Sequence, residues 1–139
     1  MKQAGIDPEN IIAYGESLGG VVAVNLAAQK EVACLILDST LSSAADFVRA
    51  RMPYIPTFLL WTKMDSLSKV NNLKMPKLFI HSPQDEIIPY KLGRKLFDAA
   101  PEPKEFLTIH GSHNEGFYQS QDIYVRGIAE FLKKWNLIS

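Results

Sequence analysis

The sequence has very little of what marks several protein classes. It holds a single cysteine, Cys34, which excludes an intramolecular disulfide framework and any zinc site that needs several cysteines of this chain. The histidines number three, and none forms a His-x-x-x-His pair, so a helical metal-binding motif is excluded. No apolar run approaches the ~18 residues a membrane-spanning helix needs. No apolar signal-peptide core follows Met1-Lys2-Gln3-Ala4-Gly5, and a soluble cytoplasmic domain is expected. Charge of one sign is also missing. Fifteen Lys and Arg face fifteen Asp and Glu, giving zero formal charge and a pI near 6.8, which is no footprint for nucleic acid or an anionic membrane. The phosphate-cradling G-x-x-x-x-G-K-[ST] pattern is absent, and no cofactor is implied.

What is present is a regular alternation. The 139 residues are 47% hydrophobic, enough for one core. Asp7 to Asn10 reads as a turn. Short apolar runs at Ile11 to Tyr14, Val32 to Leu37, Lys77 to His81 and Phe106 to Ile109 read as strands. Between and after them, Ser17 to Lys30, Ser42 to Arg51, Tyr90 to Ala100 and Asp122 to Trp135 carry apolar residues at helical spacing. On the inner sides this places Leu18, Val21, Val22, Ala23, Leu26 and Ala27, then Leu92, Leu96 and Phe97, then Ile123, Ile128, Phe131, Leu132 and Trp135. Residues 57 to 74 leave room for one or two short helices. Four β–α units in a row predict an α/β fold, a parallel sheet covered on both faces. Ligands of such sheets bind beyond the carboxyl ends of the strands.

The loops at those ends carry the chemistry. Gly15-Glu16-Ser17-Leu18-Gly19 is G-x-S-x-G between a strand and a helix. A nucleophile on such a sharp turn needs small neighbours two residues to either side, here Gly15 and Gly19. Ser17 is the candidate nucleophile, and the Leu18 N–H at the helix start is a candidate oxyanion donor. A serine needs a base. His113, in the Gly111-carrying loop after the fourth strand, is favoured over His110. His81 reads as a loop anchor bonded to backbone. The base in turn needs an acid to orient it. Asp85 follows the third strand and is the first choice, with Asp38, at the end of the second strand, as the alternative. Glu86 reads as solvent-facing. Cys34 lies mid-strand and reads as inert core.

The stretches Ile12-Ala13-Tyr14-Gly15-Glu16-Ser17-Leu18-Gly19-Gly20, Pro76 through Pro89 and Gly111-Ser112-His113-Asn114 together resemble the C-terminal part of an α/β-hydrolase. The closest resemblance is to the α/β-hydrolase-domain or serine aminopeptidase-like branch. Ser82 departs from the glycine that the family often carries after the histidine. The resemblance implies a three-layer αβα domain over residues 1–139 with a small cap-like insertion at 39–76. Phe47, Met52, Phe58, Leu59 and Trp61 are candidates there for acyl contact or for core. It implies acyl transfer from an ester, thioester or amide to water, with a small-molecule or acylated substrate. It also implies further strands and a second oxyanion donor ahead of residue 11, so that this chain reads as a truncated domain. Two expectations follow: a serine hydrolase, or a weak or inactive module that binds or self-associates through its open first strand.

Overall fold

A computed structural model describes residues 5–139. Four parallel strands form one sheet: β1 (Ile12–Glu16), β2 (Cys34–Asp38), β3 (Lys77–His81) and β4 (Lys104–Thr108). Their spatial order is β1-β2-β3-β4, with Gly15 opposite Leu37, Leu37 opposite Phe79, and Phe79 opposite Phe106. The chain is therefore an α/β protein with a parallel sheet, as its β–α alternation predicts. The central strands are continuous apolar runs because both faces are covered. All five residues of β2 and all five of β3 are buried.

The side-chain alternation of the strands splits the core in two. Ala13, Leu35, Leu37 and Phe79 point to one face and pack on Ala23, Val24 and Ala27 of α1 (Leu18–Gln29). Val70 of α3 (Leu67–Val70) and Leu96 of α4 (Tyr90–Ala99) complete that layer. Cys34, Ile36, Leu78 and Ile80 point to the other face and meet Tyr124 and Phe131 of α6 (Gln121–Lys134). Cys34 is fully buried, and burial pushes its thiol up to about 11, consistent with an inert core side chain.

Periodicity errs at positions where a polar or small residue takes the buried place. On α1 the buried residues are Gly20, Ala23, Val24 and Ala27, whereas Leu18 and Val22 are exposed. The small residues let the helix approach so closely that a Cβ on Gly20 would lie 2.1 Å from Thr40 Oγ1. On α6, Ile123 faces outward and Tyr124 inward, because the Tyr124 hydroxyl finds buried partners beneath the helix. The short α3 falls within 57–74, where the sequence leaves room for one or two short helices, whereas α5 (Gly116–Gln119) escapes the sequence pattern. Strand β4 begins at Lys104, two residues earlier than Phe106, since its backbone pairs with β3 irrespective of side-chain polarity.

The segment 39–76 contains α2 (Ala44–Arg51), a single 3-10 turn at Thr57–Leu59, and α3. Val48 and Val70 are buried, whereas Phe58, Leu59 and Trp61 are exposed, so these three are not core. Among the described residues β1 has no partner on its outer side, and Ile12 and Tyr14 are 39% and 48% exposed. No helix among those residues is long and apolar enough to cross a membrane.

Candidate active site

Ser17 sits where β1 turns into α1. Its φ of 52° and ψ of −119° lie in a region that side chains rarely adopt, a strain that persists only where surroundings hold it. Three contacts do so. The Ser17 N–H donates to the Asp38 carbonyl at 2.9 Å, and its carbonyl accepts from Thr40 Oγ1 at 2.6 Å and from the Gly20 N–H at 3.2 Å. Thr40 carries no motif signal that would mark it in the sequence. Its place was set by β2 lying beside β1.

The glycines of the turn do not share their load as the motif suggests. A Cβ on Gly15 would fall 2.3 Å from the Gly19 carbonyl oxygen, a clash with backbone. A Cβ on Gly19 would meet nothing within 4 Å among the described residues, so crowding does not require glycine there. The tight approach is made one residue later, at Gly20. Leu18 opens α1, so its N–H has no acceptor within the helix.

The other candidates converge on Ser17 from the loops after β3 and β4. His113 Nε2 lies 3.1 Å from Ser17 Oγ, and His113 Nδ1 lies 2.7 Å from Asp85 Oδ2. The acid belongs to a compact turn. Asp85 Oδ1 accepts the N–H groups of Ile87 at 2.9 Å and Ile88 at 2.8 Å. The side chain of Asp85 is fully buried and that of His113 is 7% exposed. Burial acts to raise the Asp85 carboxyl. Hydrogen bonds from His81, His113 and the Ile88 backbone outweigh it and hold the group below its ordinary range.

Side chains between the loops fix their spacing. Ser82 Oγ donates to the Gly111 carbonyl at 2.6 Å and accepts the Gln84 N–H at 3.1 Å. A glycine at 82 would lack both bonds. Glu86, although exposed, accepts the His113 backbone N–H at 3.0 Å, so it does more than face solvent. Arg51, at the end of α2, donates to the carbonyls of Glu86 and Ile87.

The remaining candidates stand outside this line. The ring of His110 is exposed, and its backbone is tied to Ser120 Oγ through both N–H and carbonyl. Asp38 is buried and engaged elsewhere. Its Oδ1 accepts Ser39 Oγ at 2.8 Å, and its Oδ2 accepts Tyr124 OH at 2.7 Å and Tyr14 OH at 3.4 Å. An open cleft of about 450 Å³ lies beside His113, walled by Tyr14, Glu16, Asp38, Phe117 and Tyr118. No group of three or more His, Cys, Asp or Glu side chains suited to a metal occurs among the described residues.

No protein-family model matches the chain. Individual relatives do. The human α/β-hydrolase domain-containing protein 17B is 34% identical over 131 residues, which cover 94% of this chain and 44% of that protein. An uncharacterised protein of Mycobacterium tuberculosis is likewise 34% identical, over 94% of this chain and 47% of its own length. The chain thus spans about half the length of the curated relatives it matches. Among solved structures, the esterase domain of a Rhodothermus marinus protein superposes with a TM-score of 0.67 at 23% identity, over 90% of this chain and 59% of that one. In sequence this chain is thus similar to the α/β-hydrolase domain-containing proteins, and its four parallel strands with their helices match the α/β-hydrolase fold.

Proposed function

We propose that the chain carries the triad of a serine hydrolase, with Ser17 as nucleophile, His113 as general base and acid, and Asp85 as its orienting carboxylate. One observation carries this reading: the continuous line from Ser17 Oγ through both ring nitrogens of His113 to Asp85 Oδ2, with steps of 3.1 and 2.7 Å. The Asp85 carboxylate can only accept, so the ring proton sits on Nδ1 and leaves the Nε2 lone pair facing the Ser17 hydroxyl. Ser17 Oγ attacks the carbonyl carbon of an ester, thioester or amide as its proton passes to Nε2. The leaving group departs with that proton, and an acyl-serine remains. Water then repeats the exchange and releases the acid. The Leu18 N–H, at the positive end of α1, is assigned to the oxyanion. The cleft beside His113, walled by Tyr14, Phe117 and Tyr118, is the place for the acyl group; the exposed Phe58, Leu59 and Trp61 of the cap-like segment 39–76 do not line it. A fluorophosphonate probe tests the assignment. Labelling of the wild type that vanishes in Ser17→Ala is expected, and equal labelling of both would remove Ser17 from this role.

A second reading, self-association through β1, rests on the unpaired outer side of that strand with its exposed Ile12 and Tyr14. Light scattering decides it: a mass that doubles with concentration supports it, and a constant monomer mass ends it.

A further inference from the structure

The acid has a second histidine. His81 closes β3 with its side chain 1% exposed, and its Nε2 lies 2.9 Å from the Ile88 carbonyl oxygen and 3.3 Å from Asp85 Oδ2. A carbonyl accepts only, so Nε2 carries the ring proton and aims it at the acid turn. Nδ1 is buried with no hydrogen-bond partner and points at Gly93 of α4, where a Cβ would fall 2.1 Å from it. Glycine is a poor interior helix residue, and its place in α4 is explained by the room this ring takes. The Tyr90 ring meets the imidazole edge-on at 5.6 Å.

We propose that His81 is a positioning residue for Asp85, fixing the carboxylate toward His113 through its contact with Oδ2 and through the backbone of Ile88. Ile88 is held through both of its backbone polar groups. Its carbonyl accepts from His81 Nε2, and its N–H donates to Asp85 Oδ1 at 2.8 Å. One ring thus steadies both oxygens of the carboxylate, while His113 takes the free direction of Oδ2. The inference rests on the catalytic reading given above, for which Asp85 is the orienting acid. Other ionisable groups near the pair are Glu86 and Arg51 on the outside of the acid turn, Tyr90 on α4, and Glu16 and Asp38 across the cleft from His113. None of them is within hydrogen-bond distance of the Asp85 carboxylate.

The test follows the Asp85 carboxyl by carbon NMR across a pH titration, alongside kcat and KM for an activated ester. In His81→Leu the carboxyl midpoint is expected to rise by about one pH unit. kcat is expected to fall by about ten- to a hundredfold with KM little changed. In His81→Gln, whose amide N–H can replace Nε2–H, most of both effects should disappear. Gly93→Ala, which forces the ring aside while leaving it in place chemically, should reproduce the leucine variant and covers the case in which His81→Leu fails to fold. An unmoved Asp85 midpoint in folded His81→Leu or Gly93→Ala would overturn the proposal, as would a glutamine variant no better than leucine. A moved midpoint in a protein that no serine-directed probe labels would leave His81 in its role and remove the catalytic reading instead.

Discussion

Asp85 shows how a single residue is tuned by what surrounds it. Its carboxyl is held below the ordinary carboxylate range by donors that outweigh burial. The folded state therefore binds fewer protons than the unfolded chain near that range. The stability it contributes is full above the unfolded value of about 3.9 and is lost as pH falls through the lower folded value. Asp85→Asn should flatten that part of the acid-denaturation profile. It should also cut hydrolysis by about 10⁴-fold, because an amide can impose the wrong tautomer on His113. Measuring both on one preparation checks whether the same group governs stability and turnover. The two turn glycines give a sharper contrast. Gly15→Ala drives a methyl into the Gly19 carbonyl and should lower stability by about 1–3 kcal/mol. Gly19→Ala meets open space within α1 and should raise stability by about 1 kcal/mol through helix propensity. Thermal melts of the two variants should move in opposite directions.

At the scale of elements, two buried charges report how the strands and helices are joined. Lys77 opens β3 fully buried, with Nζ donating to the carbonyls of Leu73 at 2.9 Å and Met75 at 2.6 Å. Burial brings its amine down to about 8. The folded state then holds fewer protons than the unfolded chain between about 8 and about 10.4. The Lys77 share of stability therefore rises with pH across that window. Lys77→Met should remove this rise and leave two carbonyls without their donor, lowering stability by about 1–3 kcal/mol at neutral pH. Denaturant midpoints at pH 7 and pH 10 for both proteins test the slope. Asp46 of α2 tells a milder story. Burial acts to raise its carboxyl, but Lys95 of α4 and Ser42 bring it below the ordinary value. The Lys95 side chain is half exposed, so solvent screens the pair. Lys95→Met should cost about 0.5–1 kcal/mol, and less in high salt.

For the molecule as a whole, the sheet gathers residues that are far apart in sequence. Ser17 and His113 are 96 positions apart and Asp85 and His113 are 28 apart. They meet because three parallel strands deliver their following loops to one end of the sheet. Much of this was legible beforehand. The strands announce themselves as apolar runs, and the G-x-S-x-G turn, the Asp85 loop and the His113 loop fall in the right places along the chain. What was illegible is what depends on neighbours in space. Thr40 reaches Ser17 only because β2 lies beside β1. Tyr124 rather than Ile123 turns inward because Asp38 waits beneath it.

The sequence by itself determined the β–α alternation, the strained turn that presents Ser17, and the short list of acids and bases from which a site could be built. Spacing and side-chain chemistry are properties of the chain, and they suffice for that. Only the tertiary structure decided between Asp38 and Asp85 as the partner of the His113 ring. It gave the first to Ser39, Tyr14 and Tyr124 and left the second one free direction, toward His113. It also brought His81 against the acid and explained Gly93. A carboxylate has few lone pairs, and which donors fill them is settled by three-dimensional packing, of which the order of residues keeps no local trace.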